Sequence, residues 1–209
     1  IKIALTSMFL IVSSYASAVE ISANASLSSD YIWRGMTQTQ GDLAVSGGFD
    51  LSTDMGFYIG TWASNAGGNG TDYSMELDVY LGFSGEMAEN MTYDVGYVSI
   101  TYPGDNSADF EEAYIAFNIY GLNILYSDGQ DDGPSYSEVA YGVDAGPGTF
   151  SISYGEYEQY GSNTLVGYDW GIGDFTVGFY YYDFEAKTTG RNVGKTDDDG
   201  AYVSLSRSF

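Results

Sequence analysis

The sequence predicts an all-β protein, an antiparallel up-and-down transmembrane β-barrel of about 12 strands. Three observations lead there. Apolar and polar residues alternate with a period of two along most of the chain, which is the periodicity of a strand with two different faces. The connections between strands alternate between short and long, as in a barrel with short turns at one end and longer loops at the other. Residues 201–209 form a strand ending in Phe209, which suits the closing strand of such a barrel. On that strand alone, a sandwich edge strand ending in Phe is the alternative.

The first strand is expected over 20–34, with Ile21, Ala23, Ala25 and Leu27 on one face. The second covers 42–53, where Leu43, Val45, Phe49 and Leu51 oppose Asp42, Ser46, Gly48 and Asp50. Asp54-Met55-Gly56 turns it into the third, 57–65, and a Gly/Asn loop follows. The fourth, 72–85, is the clearest: Met75, Leu77, Val79, Leu81 and Phe83 face one way, and Ser74, Glu76, Asp78, Tyr80, Gly82 and Ser84 the other. Further strands are expected over 91–102, 109–120, 122–127, 135–145, 149–159, 164–172 and 174–186. The strand over 135–145 is ambiguous, with Val139, Tyr141 and Val143 opposing Glu138, Ala140, Gly142 and Asp144. A long polar loop over 187–199 precedes the last strand.

Most of these strands reach the nine to eleven residues a membrane crossing takes, about twice the usual soluble length. The apolar face carries no charge in the clear strands. In a bilayer every backbone group must pair, so such a sheet must close. Trp33, Trp62, Tyr97 and Trp170 stand where interfacial aromatic belts are expected; strand preference alone also accounts for each.

Composition narrows the function. The chain has 209 residues, room for one domain, with 28 Gly, 21 Tyr and only 3 Pro. Six basic residues stand against 29 acidic ones, a net charge of −23. Nucleic acid is therefore excluded as a partner, because phosphate binding needs Lys and Arg. Without Cys there is no disulfide framework and no thiolate metal site, and without His there is no Ser-His-Asp or Cys-His chemistry. No cofactor is implied. Residues 1–18 read as a cleaved signal peptide: Lys2, an apolar run over 3–12, and Ala16-Ser17-Ala18 as the cleavage site. The exported barrel would then occupy 19–209, in the bacterial outer membrane. No other stretch approaches the ~20 apolar residues of a membrane helix.

One stretch adds a family. Ser29-Asp30-Tyr31, Arg34-Gly35, Gln38-Thr39, Gly47, Gly48 and Asp50, then Gly56-Phe57-Tyr58 with Trp62, Ser64 and Asn65, resemble the start of the TorF-type porins, small proteobacterial outer-membrane proteins. The motif covers about forty residues, while strand layout agrees over 19–209. The resemblance implies fold and location; the family has no well-defined substrate.

Function has to be argued from the polar faces. By this register the inward residues include Asp30, Arg34, Asp50, Glu76, Asp78, Asp94, Glu112, Glu138 and Asp169. Arg34 is the first basic residue after the leader and the last before Lys187, so it is expected to pair with one or more carboxylates. Twelve strands at ~4.8 Å spacing and ~40° tilt give a backbone radius of about 12 Å, and side chains leave an opening on the order of 10 Å or less. An acidic lining favours cations. The expectation is a narrow, cation-preferring diffusion channel for small hydrophilic solutes. The alternative is a non-conducting structural or surface-interaction barrel with a plugged polar lumen.

Asp128, Asp131 and Asp132, and Asp197, Asp198 and Asp199, are weak candidates for divalent cations, with a bridge to lipopolysaccharide phosphate as one use. The first group fails as an EF-hand, since its third position is Gln130 and its twelfth Val139; a solvated acidic loop explains it better. Catalysis has little support. Glu76 and Asp78 share a face as a carboxylate pair could, but wall residues are spaced the same way. A homo-oligomer is possible, with no interface marked in the sequence.

Overall fold

In the computed structural model, residues 19–68, 70–187 and 197–209 are described. Apolar rows of five or so alternate residues cannot be buried against a second layer where no helix among the described residues covers them. They are accommodated by closure. The elements are β1 (Glu20–Ser28), β2 (Ile32–Trp33), β3 (Met36–Thr37), β4 (Ala44–Ser52), β5 (Phe57–Asn65), β6 (Met75–Ala88), β7 (Met91–Thr101), β8 (Phe110–Ile119), β9 (Leu122–Gly129), β10 (Tyr136–Ala145), β11 (Gly148–Tyr157), β12 (Gly161–Ile172), β13 (Phe175–Ala186) and β14 (Asp198–Ser208). All but β2 and β3 form one closed antiparallel barrel of 12 strands in chain order, sealed where β1 pairs with both β4 and β14.

The two faces are sorted as the alternation predicts. On β6, Met75, Leu77, Val79, Leu81 and Phe83 point outward, all but the half-buried Leu77 exposed, while Glu76, Asp78 and Tyr80 are buried inside. The same rows recur on β13, with Phe175 and Phe179 outside and Tyr180, Tyr182 and Phe184 inside. On β10 the ambiguity resolves with Val139, Tyr141 and Val143 outward. A barrel that is apolar outside and polar inside matches a surrounding of hydrocarbon, not water.

The connections follow the expected rhythm, with one exception. Those after β4, β6, β8, β10 and β12 are tight; Tyr120 and Gly121, both at positive φ (52° and 89°), make the turn after β8. Those at the other end are longer, except that residues 158–160 join β11 to β12 in a short turn.

Two expectations fail. The first strand ends at Ser28, not at Arg34, and residues 29–43 turn into the barrel. Trp33 is consequently an interior residue, as is Trp62 on the inward face of β5, and neither belongs to an outer belt, whereas Trp170 is on the outer face. Acids also appear on the outer face near the long-loop ends: Glu111 accepts from Tyr97 Oη at 2.5 Å, and Glu156 pairs with Lys187 Nζ at 2.8 Å. These sit beyond the apolar rows, where a headgroup region begins. Residues 1–18, expected to be a leader, and most of the expected polar loop before β14 lie outside the described residues.

Leu81 lies in the middle of the outer row of β6. Leu81→Arg is expected to weaken folding into vesicles by about 2–4 kcal/mol, the range for a cation at the bilayer midplane of a barrel. Urea titration of the refolded protein in lipid vesicles measures it.

Candidate functional site: the barrel interior

The interior is organised by the segment that leaves β1. Ile32 pairs with Thr37 and Trp33 with Met36, so Arg34 and Gly35 are the two loop residues of a hairpin. Both have positive φ, 49° and 77°, as a two-residue hairpin turn requires. Gly35 is forced on space as well as on φ: a Cβ there would come 2.5 Å from Asn163 Cβ and 3.2 Å from Phe184 Cβ. Arg34 carries a side chain through a conformation that few residues adopt without strain.

Its partners show what holds it there. Arg34 Nη1 and Nη2 donate to Glu112 Oε1 and Oε2 at 2.7 and 2.6 Å, a bidentate pair. The guanidinium lies 4.2 Å from the ring centre of Trp33, 4.1 Å from that of Tyr136 and 4.7 Å from that of Tyr157. Ser127 Oγ donates to Glu112 Oε2 at 2.5 Å. Burial acts to lower the pKa of Arg34, but the Glu112 charge and hydrogen bonds, with Tyr157 and Tyr136, together outweigh it and hold the guanidinium above its ordinary value.

The rest of the hairpin reaches other walls. Tyr31 Oη donates to Glu76 Oε1 on β6 at 2.7 Å, and its ring meets Trp62 of β5 at 5.2 Å. Burial first, and the Glu76 charge second, push the Tyr31 phenol well above its usual pKa, so it remains a donor. Ile32 packs among Tyr180, Tyr182 and Tyr202 of β13 and β14; Met36 packs with Tyr136, Tyr157 and Phe184. Asp30 holds the base of the hairpin by accepting from Thr37 Oγ1 and Thr39 Oγ1, each at 2.7 Å. In the strand order, β6 and β12 stand half a turn apart, so Tyr31 and Gly35 touch opposite sides of the lumen.

The sequence-derived positions separate into two groups. Asp50, Glu76, Asp78, Asp94, Glu112, Glu138 and Asp169 face inward from β4, β6, β7, β8, β10 and β12. Asp30 and Arg34 are not on the wall; both ride on the inserted hairpin. Several wall carboxylates are held by phenols. Tyr80 donates to Asp50, Tyr180 to Asp169, Tyr58 to Asp94 at 2.5 Å, and Tyr136 to Glu138 at 2.8 Å. Sequence reasoning passed over these tyrosines, although they share the polar face at period two.

The loop acids do not assemble into a metal site: among the described residues, no three acidic side chains are placed to hold an ion. Asp128 accepts from Tyr126, Asp197 accepts from the Ala186 amide at 2.9 Å, and Asp131 and Asp132 sit in a turn at positive φ.

Over residues 13–209 the chain matches the model of a family described as bacterial protein of unknown function (Gcw_chp), and it belongs to that family. Two solved structures share its architecture. One is a KdgM porin in complex with disordered oligogalacturonate, with a TM-score of 0.63 at 8% identity, covering 90% of this chain and 98% of that one. The other is a KdgM porin, with a TM-score of 0.62 at 9% identity and the same coverage. At such identities the likeness is one of fold. Among curated proteins, no sequence matches.

Arg34→Met is expected to release the hairpin while leaving the sheet closed. It strands the Glu112 charge, a loss of about 3–5 kcal/mol for one partner of a buried pair. Limited proteolysis within residues 29–43, with unchanged β-sheet circular dichroism, checks this. Gly35→Ala should act in the same direction.

Proposed function

We propose that this member of the family is an outer-membrane porin-like barrel: a narrow diffusion channel for small hydrophilic solutes, with a preference for cations. The observation that carries the proposal is the interior charge. Carboxylates of β4, β6, β7, β8, β10 and β12 face the lumen, against the single guanidinium of Arg34 among the described inward residues. In a low-dielectric cylinder such a lining raises the local concentration of cations and repels anions. The closed barrel, its apolar outer rows and the resemblance of residues 28–65 to TorF-type porins support the location, and export by cleavage of the leader after Ala18 belongs to the same proposal.

The KdgM porin was solved with oligogalacturonate, a polyanion. The lining here has the opposite sign to what such a solute needs, so we expect uronate oligomers to be excluded. The hairpin sets the bore. It crosses the lumen, and this favours a second reading, a barrel plugged at rest.

Planar-bilayer recordings under a KCl gradient separate these readings. The channel reading expects discrete conductance and a reversal potential on the potassium side, with potassium favoured by roughly an order of magnitude, as rings of acids produce. Anion preference would overturn it. A silent protein that conducts once residues 30–39 are replaced by a Gly-Ser linker would make the hairpin a plug.

A further inference from the structure

Most interior carboxylates have donors; among the fully buried carboxylate oxygens of the described residues, Asp78 Oδ1 and Asp94 Oδ2 have none. Asp94 is anchored through its other oxygen by Tyr58. Asp78 is the more exposed case chemically, although only 6% of its surface is accessible. It lies between Glu76 and Tyr80 on the inner row of β6, with Trp62 opposite it on β5 and Ile100 opposite it on β7. None of the nearby donors is aimed at Oδ1. Tyr31 and Tyr102 hydrogen-bond Glu76, and Tyr80 donates to Asp50. Arg34 spends both terminal nitrogens on Glu112. Glu76 and Glu112 also bear on Asp78, so the corner holds three acidic side chains against the one guanidinium of Arg34.

A buried carboxylate oxygen without a donor is costly, and an added N–H group removes that cost. The corner does not bring its three acids together as a divalent ion would need. It does have aromatic walls: Trp62 across from Asp78, Tyr31 edge-on to Trp62, and Tyr102 against Tyr73. Carboxylate plus aromatic faces is the chemistry that recognises an organic ammonium ion.

We propose that Asp78, with Glu76 and Trp62, forms a binding station for a primary ammonium group beneath the inserted hairpin, and that amines are therefore a solute class of this barrel. The inference rests on the cation-channel reading above and names a ligand for it.

The test uses propylammonium chloride added to a refolded barrel conducting in KCl. Propylammonium is expected to reduce potassium current at millimolar concentration, and tetramethylammonium, which has no N–H donor, to do so more weakly. Asp78→Asn should raise the half-blocking concentration about tenfold or more, the ratio for losing one charge-assisted hydrogen bond. It should keep the cation preference, which the other carboxylates carry. Trp62→Leu, which leaves the acids in place, should weaken block by a smaller factor and serves if Asp78→Asn does not refold. A cation-preferring barrel with no propylammonium block, or with equal block in these variants, overturns the station alone. An anion-preferring barrel overturns the channel reading beneath it.

Discussion

The interior arrangement depends on one ion pair. Arg34 and Glu112 are both almost fully buried, with side-chain exposures of 9% and 4%, and they join an inserted hairpin to the wall. Buried pairs are seldom strong net stabilisers, since both charges must leave water. Here the loss is offset by geometry that only arginine offers: a planar fork that meets both carboxylate oxygens and presents its faces to Trp33, Tyr136 and Tyr157. Lysine would keep the charge and lose the fork and the stacking. The left-handed backbone at Arg34 is the strain this arrangement sustains.

A second constraint explains the composition. A 12-strand barrel leaves an interior too wide for small side chains to fill and too narrow for unrestricted large ones. Glycine and tyrosine solve it in pairs across neighbouring strands. Gly60 faces Tyr80, Gly82 faces Tyr58, Gly96 faces Tyr114 and Gly167 faces Tyr180, in register. A Cβ on Gly82 would come 2.4 Å from Tyr58 Oη, and one on Gly96 would come 2.3 Å from Tyr114 Oη. Each ring lies over the bare backbone of its neighbour, which keeps its hydroxyl within reach of a carboxylate deeper in the wall.

These two constraints differ in how visible they are in sequence. The wall was legible because period two is a local property: β5 falls on 57–65 as read, and β6 keeps its expected faces. The hairpin was not, for a local reason. Arg-Gly is a poor turn signal beside Asn-Gly or Asp-Gly, and Ile32 and Trp33 continue an apolar pattern begun at Ile21. What turns the chain is Glu112, nearly eighty residues away, and no period reports a contact of that separation. Trp33 was misplaced for the same reason, since it rides on the inserted segment, whereas Trp62 follows the period of β5 and shares the inward face of Tyr58 and Ser64. Asp30 and Arg34 were picked out as inward residues, but the reason is insertion, not strand register.

The phenols also bear on selectivity. A carboxylate can be satisfied by a cation, which cancels its charge, or by neutral donors, which orient it and leave the charge intact. Asp50, Asp94, Glu138 and Asp169 take the second route, through Tyr80, Tyr58, Tyr136 and Tyr180. Among the described inward acids only Glu112 takes the first. Neutral donors hold each carboxylate in place without adding a counter-charge, so a wall built this way is ordered by hydrogen bonds alone. Charged donors would also order these acids, but would cancel their charge; the sequence, with six basic residues in all, uses neutral phenols instead. The scarcity of cations and the abundance of tyrosine thus belong together: inward acids are held in place by phenols and not by counter-charges.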